Sequence, residues 1–191
     1  MAMQIKCGTK EVSRKLKALK GQSETALQKV VSDFKRRAPG WISKDITEVY
    51  NVKKKDAKGS MAPRGAGLDA EINIKGRVLT LAHFGLKPKS GSFKKTYTVS
   101  AEIFKGSRKT YSTKTSFVYN GTAFTTLDEN GEKMKRVMDK DGKMRNPLRP
   151  LDTLSVTQMA ENEEVTENIY KDIDKNLMKR AQHYLERYLG K

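Results

Sequence analysis

Val165, Ile169, Ile173, Leu177, Ala181, Leu185 and Leu189 recur at every fourth position, with no proline or glycine between them. A four-residue step turns a helix by about 400°, so such a stripe stays on one side while drifting about 40° per step. The spacing predicts a long helix over residues 155–190. Ser155 with Gln158 three residues on resembles a capping box, and Asn162 ahead of Glu163-Glu164 offers a second start. The drift turns the later apolar residues away from the direction of Val165. The first half is therefore expected to pack on the chain's own sheet. Leu177, Ala181, Tyr184, Leu185, Tyr188 and Leu189 are candidates for an interface with a neighbouring subunit.

Helical spacing also governs residues 1–60. Val12, Leu16 and Leu19 form a narrow stripe on a short helix expected to end at Gly21, and Ala26, Leu27, Val30, Val31 and Phe34 form a broader one. Ala38, Trp41, Ile42 and Val49 fall on or near that second arc. The phase survives Pro39-Gly40, which favours one bent helix over two separate ones. Trp41 is expected to anchor the core. The stretch from Gly59 to Gly67 is rich in Gly, Pro and small residues and is expected to be a loop.

Beyond it the period changes to two. Leu68, Ala70, Ile72 and Ile74 alternate with polar residues, Val78-Leu79-Thr80-Leu81 follows, and Gly76-Arg77 suggests a tight turn between two strands. Residues 86–95 suggest a basic loop, and Thr96–Phe104 a further strand with Tyr97, Val99, Ala101 and Ile103 on one face. Three turn signals come next: Asn120-Gly121, Asp128-Glu129-Asn130-Gly131 and Asp139-Lys140-Asp141-Gly142. The first, between Phe117-Val118-Tyr119 and Ala123-Phe124-Thr125, is a strong hairpin signal. Residues 68–146 are thus expected to form an antiparallel meander. The fold class is α+β, with N-terminal helices packed on the meander and a long C-terminal helix. At 191 residues the chain is expected to be a single domain.

Charge narrows the partners. With 39 Lys+Arg against 22 Asp+Glu the chain carries +17. The excess lies in residues 1–60 (15 basic, 6 acidic) and 61–150 (18 basic, 8 acidic), while 151–191 has 6 basic and 8 acidic groups. An acidic end on a basic body suits docking between copies of the chain. Three basic clusters are candidate contacts for DNA or an acidic partner: Lys53, Lys54, Lys55, Lys58 and Arg64; Lys87, Lys89, Lys94 and Lys95; and Lys105, Arg108 and Lys109. Lysine dominates them and aromatic residues are not interleaved, so any DNA contact should be to phosphates and blind to sequence. No apolar run approaches the roughly 18–20 residues a membrane helix needs. The N-terminus has no signal-peptide pattern, and the single cysteine, Cys7, fits a reducing compartment.

The chemistry of enzymes is not written here. The two histidines, His83 and His183, stand apart from any nucleophile, and no phosphate-cradling loop, metal-ligand spacing or nucleophile elbow occurs. Asp139-Lys140-Asp141-Gly142 lacks the later ligands of a calcium loop and suits a hairpin turn. No catalytic, metal or cofactor residue is assigned.

Three landmarks occur in order. They are Leu81-Ala82-His83-Phe84-Gly85-Leu86-Lys87-Pro88, the Phe117 to Gly121 turn, and Pro147-Leu148-Arg149-Pro150-Leu151 running on through Ser155-Val156-Thr157-Gln158-Met159 to the terminal helix. With the basic helical N-terminal region, this order resembles the phage minor tail protein Z family. The chain departs from that pattern at Leu151-Asp152-Thr153-Leu154 and in a lengthened stretch from Gly131 to Asn146. The resemblance implies a structural virion protein that is not an enzyme, made in the host cytoplasm and carried in the tail or neck. It implies action in tail completion and head–tail joining, in a homo-oligomeric ring and possible hexamer at the head-proximal end of the tail. Its implied neighbours are the tail terminator, tail tube or connector, with nonspecific DNA contact and no membrane. The alternative from charge alone is a sequence-nonspecific nucleic-acid-binding protein.

Overall fold

The apolar arc from Ala26 to Val49 keeps its phase because the chain forms one helix there, α1 (Gln22–Val49), with Pro39 inside it. A proline in a helix interior costs about 3 kcal/mol in a lost hydrogen bond and a clash. Burial on both sides offsets that cost: Phe34, Ala38, Ile42 and Ile46 are all 0% exposed. Trp41 lies at the edge of the arc and is only half-buried, so it is not the core anchor its spacing suggested. The computed structural model describes the backbone of residues 3–6, 22–91 and 97–189 and the side chains of 24–91 and 97–188. The short helix expected over Val12–Leu19, and Cys7, lie outside them. The α+β class is observed, and the chain divides into two compact units whose segments alternate along the sequence.

The first unit comprises residues 1–49, 53–77 and 156–191. After α1 come α2 (Lys54–Gly59), β2 (Met61–Arg64) and β3 (Glu71–Ile74), and the N-terminal strand β1 (Met3–Lys6) joins them. β3 is central and pairs antiparallel with both β1 and β2, Ile74 standing opposite Met3 on one side and Met61 on the other. The expected loop from Gly59 to Gly67 therefore contains a strand. Pro63 is tolerated because β2 is an edge, where a missing N–H need not face a partner.

The unit is completed by α3 (Val156–Ala160) and α4 (Glu163–Leu189). Asn162 caps α4, its Oδ1 accepting from the Val165 amide at 3.4 Å. Val165, Ile169, Ile173, Leu177 and Ala181 are all buried, and α4 lies chiefly along α1. This corrects the expectation that the first half of the terminal helix packs on a sheet. Two long amphipathic helices can each seal the other's stripe along most of their length.

The second unit comprises residues 50–52 and 78–155 and is built from antiparallel strands. β4 (Val78–Thr80) pairs with β12 (Asp152–Ser155), and β5 (Val99–Phe104) with β6 (Ser107–Tyr111). β8 (Thr122–Thr125) lies between β7 (Ser116–Tyr119) and β11 (Arg149–Pro150), while β9 (Val137–Met138) pairs, among the described residues, only with β10 (Met144–Arg145). A 3-10 turn over Leu81–His83 supplies Leu81, which with Phe84, Val99, Ala101, Val118 and Ala123 forms the core.

Asn120 and Gly121 take φ of 46° and 74° between β7 and β8, as a two-residue hairpin turn requires. Asp139 closes the β9–β10 turn, its Oδ1 accepting from the amides of Asp141 and Lys143 at 2.9 Å each. Both turn assignments from the sequence hold. The hairpin expected across Gly76-Arg77 does not form: β3 and β4 pair with other strands, and the chain passes from one unit to the other there.

Candidate functional site

In the second unit two of the basic clusters meet around β5. Lys87 pairs with Ser100 through both backbone bonds at 2.8 Å, and Lys105, Arg108 and Lys109 lie on the β5–β6 hairpin. Arg108 is exposed but its guanidinium is engaged. Its guanidinium donates to the Gly85 carbonyl at 3.2 Å and to Ser100 Oγ and Glu102 Oε2 at 3.4 Å each. Its role is to tie the hairpin to the Phe84–Leu86 segment, so it is a poor phosphate contact. Lys109 sits 5.6 Å from the Tyr111 ring centroid, within cation–π range. Lys87, Lys89, Lys105 and Lys109 are exposed. Lys94 and Lys95 lie outside the described residues.

The third cluster belongs to the first unit. The lysine run makes α2, in which Ala57 is the buried residue and Lys54, Lys55 and Lys58 point to solvent with Lys53 at the N-cap. Arg64 ends β2, also exposed, in register with Glu71. Such a display gives compact positive charge and no fork for base edges, consistent with phosphate or carboxylate partners.

The proposed interface on the terminal helix divides in two. Leu177 and Ala181 are buried against the chain's own helix pair and are thus corrected from interface to core. Tyr184, Leu185 and Tyr188 are half-exposed, and the Leu189 side chain is outside the described residues. Tyr184 is engaged within the chain: its hydroxyl donates to Asp33 Oδ2 at 3.0 Å, and its ring centroid lies 6.4 Å from that of Tyr188.

Asp33 is a hub that its position in the sequence did not announce. It receives Arg36 at 2.6 Å, and Arg37 and Arg180 stand at 3.6 and 3.7 Å. Burial alone would raise its carboxyl. The hydrogen bonds from Tyr184 and Arg36 and the charge of Arg37 outweigh that and hold it below the usual range. Asp45 is the opposite case. It is 3% exposed on the α1 face toward α4, and its Oδ2 has no hydrogen-bond partner among the described residues. Burial, then the negative charge of Asp172, pushes its carboxyl up to about 6 against the pull of Lys44. Lys44 itself bridges Asp172 at 3.2 Å and Glu48 at 3.4 Å. A signal for Asp45 was available: three residues from Ile42 is about 300° on a helix, which lies inside the apolar arc.

Among the described residues, no group of three or more His, Cys, Asp or Glu could hold a metal, and no helix is long and apolar enough to cross a membrane. No family model, curated protein or solved structure matches this chain.

Proposed function

We propose that the chain is a structural virion protein of a long-tailed phage or prophage. It acts in tail completion and head–tail joining, as part of a ring at the head-proximal end of the tail. Its partners in this role are further copies of itself and the tail terminator, tube or connector. The observation that carries the reading is the path of the Pro147–Met159 segment, on which the family resemblance is strongest. Arg149-Pro150 forms β11, Asp152–Ser155 forms β12, and the turn into α3 buries Val156 and Met159 completely. A segment that hands two strand pairings over to a buried helical turn suits a structural part. The test is removal of the gene from a producing lysate. DNA-filled heads and unattached tails, seen by electron microscopy and rejoined by added protein, support the reading; normal particles overturn it.

A second reading rests on the exposed Lys87, Lys105 and Lys109, which the Lys87–Ser100 bridge and the β5–β6 hairpin place around β5, with the exposed Lys89 two residues on from Lys87. It makes the protein a sequence-nonspecific nucleic-acid binder acting through phosphates. It requires that the isolated monomer bind duplex DNA with a log–log salt slope of about −0.9 per phosphate neutralised.

A further inference from the structure

The β9–β10 ribbon is an arm without a core. Two register pairs hold it, Met144 opposite Met138 and Arg145 opposite Val137, and no third strand joins it among the described residues. Its apolar residues face solvent: Met138 is 69% exposed, Met144 56% and Val137 53%. A lone two-stranded hairpin is marginally stable in water at best. This one is closed by its own polar groups, through the Asp139 turn, the Arg145–Asp139 ion pair and an Arg136–Asn146 hydrogen bond of 3.3 Å. Residues 132–146 also carry six cations, Lys133, Lys135, Arg136, Lys140, Lys143 and Arg145, against three acids. Flexible methionines ringed by positive charge suit an apolar patch ringed by negative charge.

Among the described residues, the first half of α4 offers an acidic face of this kind around Tyr170. Residues 161–174 hold six acids and one lysine, in a chain whose total is +17. Glu163, Glu167, Tyr170 and Asp174 follow at steps of four, three and four, which places them along one helix face. Met178 lies one turn beyond Asp174 on the same face, beside Lys175 and Lys179. Tyr170 is 43% exposed and Met178 55% exposed, although the opposite face of the same helix is sealed. Part of the negative charge is already taken up locally, Glu167 by Lys171 and Asp172 by Lys44, each at 3.2 Å. Glu161, Glu163, Glu164 and Asp174 are exposed.

We infer that the β9–β10 ribbon of one copy docks on the acidic face of α4 of a second copy, its methionines against Tyr170 and Met178 and its cations over Glu163, Glu167 and Asp174. The inference rests on the reading of the chain as a part that assembles with itself, and supplies the surface. The two surfaces differ from one another, so the contact is head-to-tail and repeats from copy to copy, as a ring needs. A nucleic acid would occupy the cations and leave the exposed methionines and the α4 face unused.

The test uses the full chain, with mass in solution measured by light scattering at low and moderate salt. Three variants are compared: Met138→Ser with Met144→Ser, Lys140→Glu with Lys143→Glu, and Glu163→Lys with Glu167→Lys. Each is checked for an unchanged thermal transition. Each should weaken self-association about tenfold or more, and the two charge reversals combined in one chain should restore it. That restoration needs folded protein, so loss of fold cannot imitate it. Association undiminished in all three variants overturns the docking and leaves the tail reading intact. A wild-type chain that stays monomeric also overturns it, and the tail reading is then decided separately by the particles made without the gene. Ribbon variants that lose duplex DNA binding with no change in mass overturn it in favour of a nucleic-acid surface.

Discussion

In the first unit Phe34, Ile42, Ile46 and Ile169 are each 0% exposed, whereas in the second unit Val137, Met138, Met144 and Leu148 are each 49% or more exposed. The first unit gathers its apolar residues on two long helices, and each stripe has the other to cover it. The second unit spends much of its length on turns and short strand pairs, where side chains alternate across a thin ribbon and one face has nothing to rest on. The contrast is between the helix pair and the outlying ribbon, since the second unit keeps its own core at Leu81, Phe84, Val99, Ala101 and Ala123, each 0% exposed. Surface available to other molecules is concentrated in the strands and along the outer face of α4.

The sharpest way to break this contrast is to empty the helix core. Phe34→Ala should cost about 3–5 kcal/mol, read from denaturant unfolding by Trp41 fluorescence. Trp41 is the single tryptophan, on α1, and so reports on the first unit. Met138→Ala at an exposed site should stay within about 0.5 kcal/mol. Equal losses from the two would show that the ribbon is packed in solution.

Asp45→Asn comes next. The folded carboxyl titrates at about 6, above its unfolded value of 3.8, so the folded state holds the proton more tightly. The stability this contributes is fully present below pH 4 and is lost as pH rises through 6. An asparagine amide can donate where the buried carboxylate cannot. The variant should gain about 1–2 kcal/mol at pH 8, after allowance for solvent screening of a shift worth 1.36 kcal/mol per unit. It should show a flatter pH profile between 4 and 7. A variant no more stable than wild type at pH 8 would place Asp45 in a wetter setting.

Gly121→Ala tests the turn chemistry of the second unit. At φ of 74° a Cβ is strained, and the cost should be about 1–2 kcal/mol, seen as faster amide exchange in β7 and β8. Asn162→Ala, which removes the α4 cap, should cost about 1 kcal/mol in a thermal melt. Gly121→Ala should leave the Trp41 signal in place, and Asn162→Ala should shift it by less than Phe34→Ala does.

What could be read from the residues alone follows from the range of the forces involved. The terminal helix, the continuity of α1 through Pro39 and the turns at Asn120-Gly121 and Asp139–Gly142 were all legible, although the single helix expected from Ser155 is broken into α3 and α4, with Asn162, offered as a second start, at the beginning of α4. Each is set by residues a few positions apart. The strand β2 was hidden because Gly, Pro and small residues suit a loop locally, and only pairing with β3 makes Met61–Arg64 extended. The missing hairpin at Gly76-Arg77 has the same cause. β3 finds its partners in β1 and β2, and β4 finds β12 more than 70 residues later in the chain. For the candidate surfaces, the lysines and the acidic start of α4 were plain from charge. That Arg108 is spent on Gly85 and Glu102, and that Leu177 and Ala181 are core, was not.

By itself the sequence determined the α+β class, the long helices, the turn positions and the placing of positive and negative charge. Local dihedral preference and side-chain periodicity act over a turn or two of chain. Tertiary structure alone decided which strands pair, that α4 lies along α1, that Asp33 and Asp45 are sealed in opposite electrostatic settings, and that the methionines of β9 and β10 are left outside. Those outcomes depend on which distant surfaces bury each other, and no short window of residues contains that information.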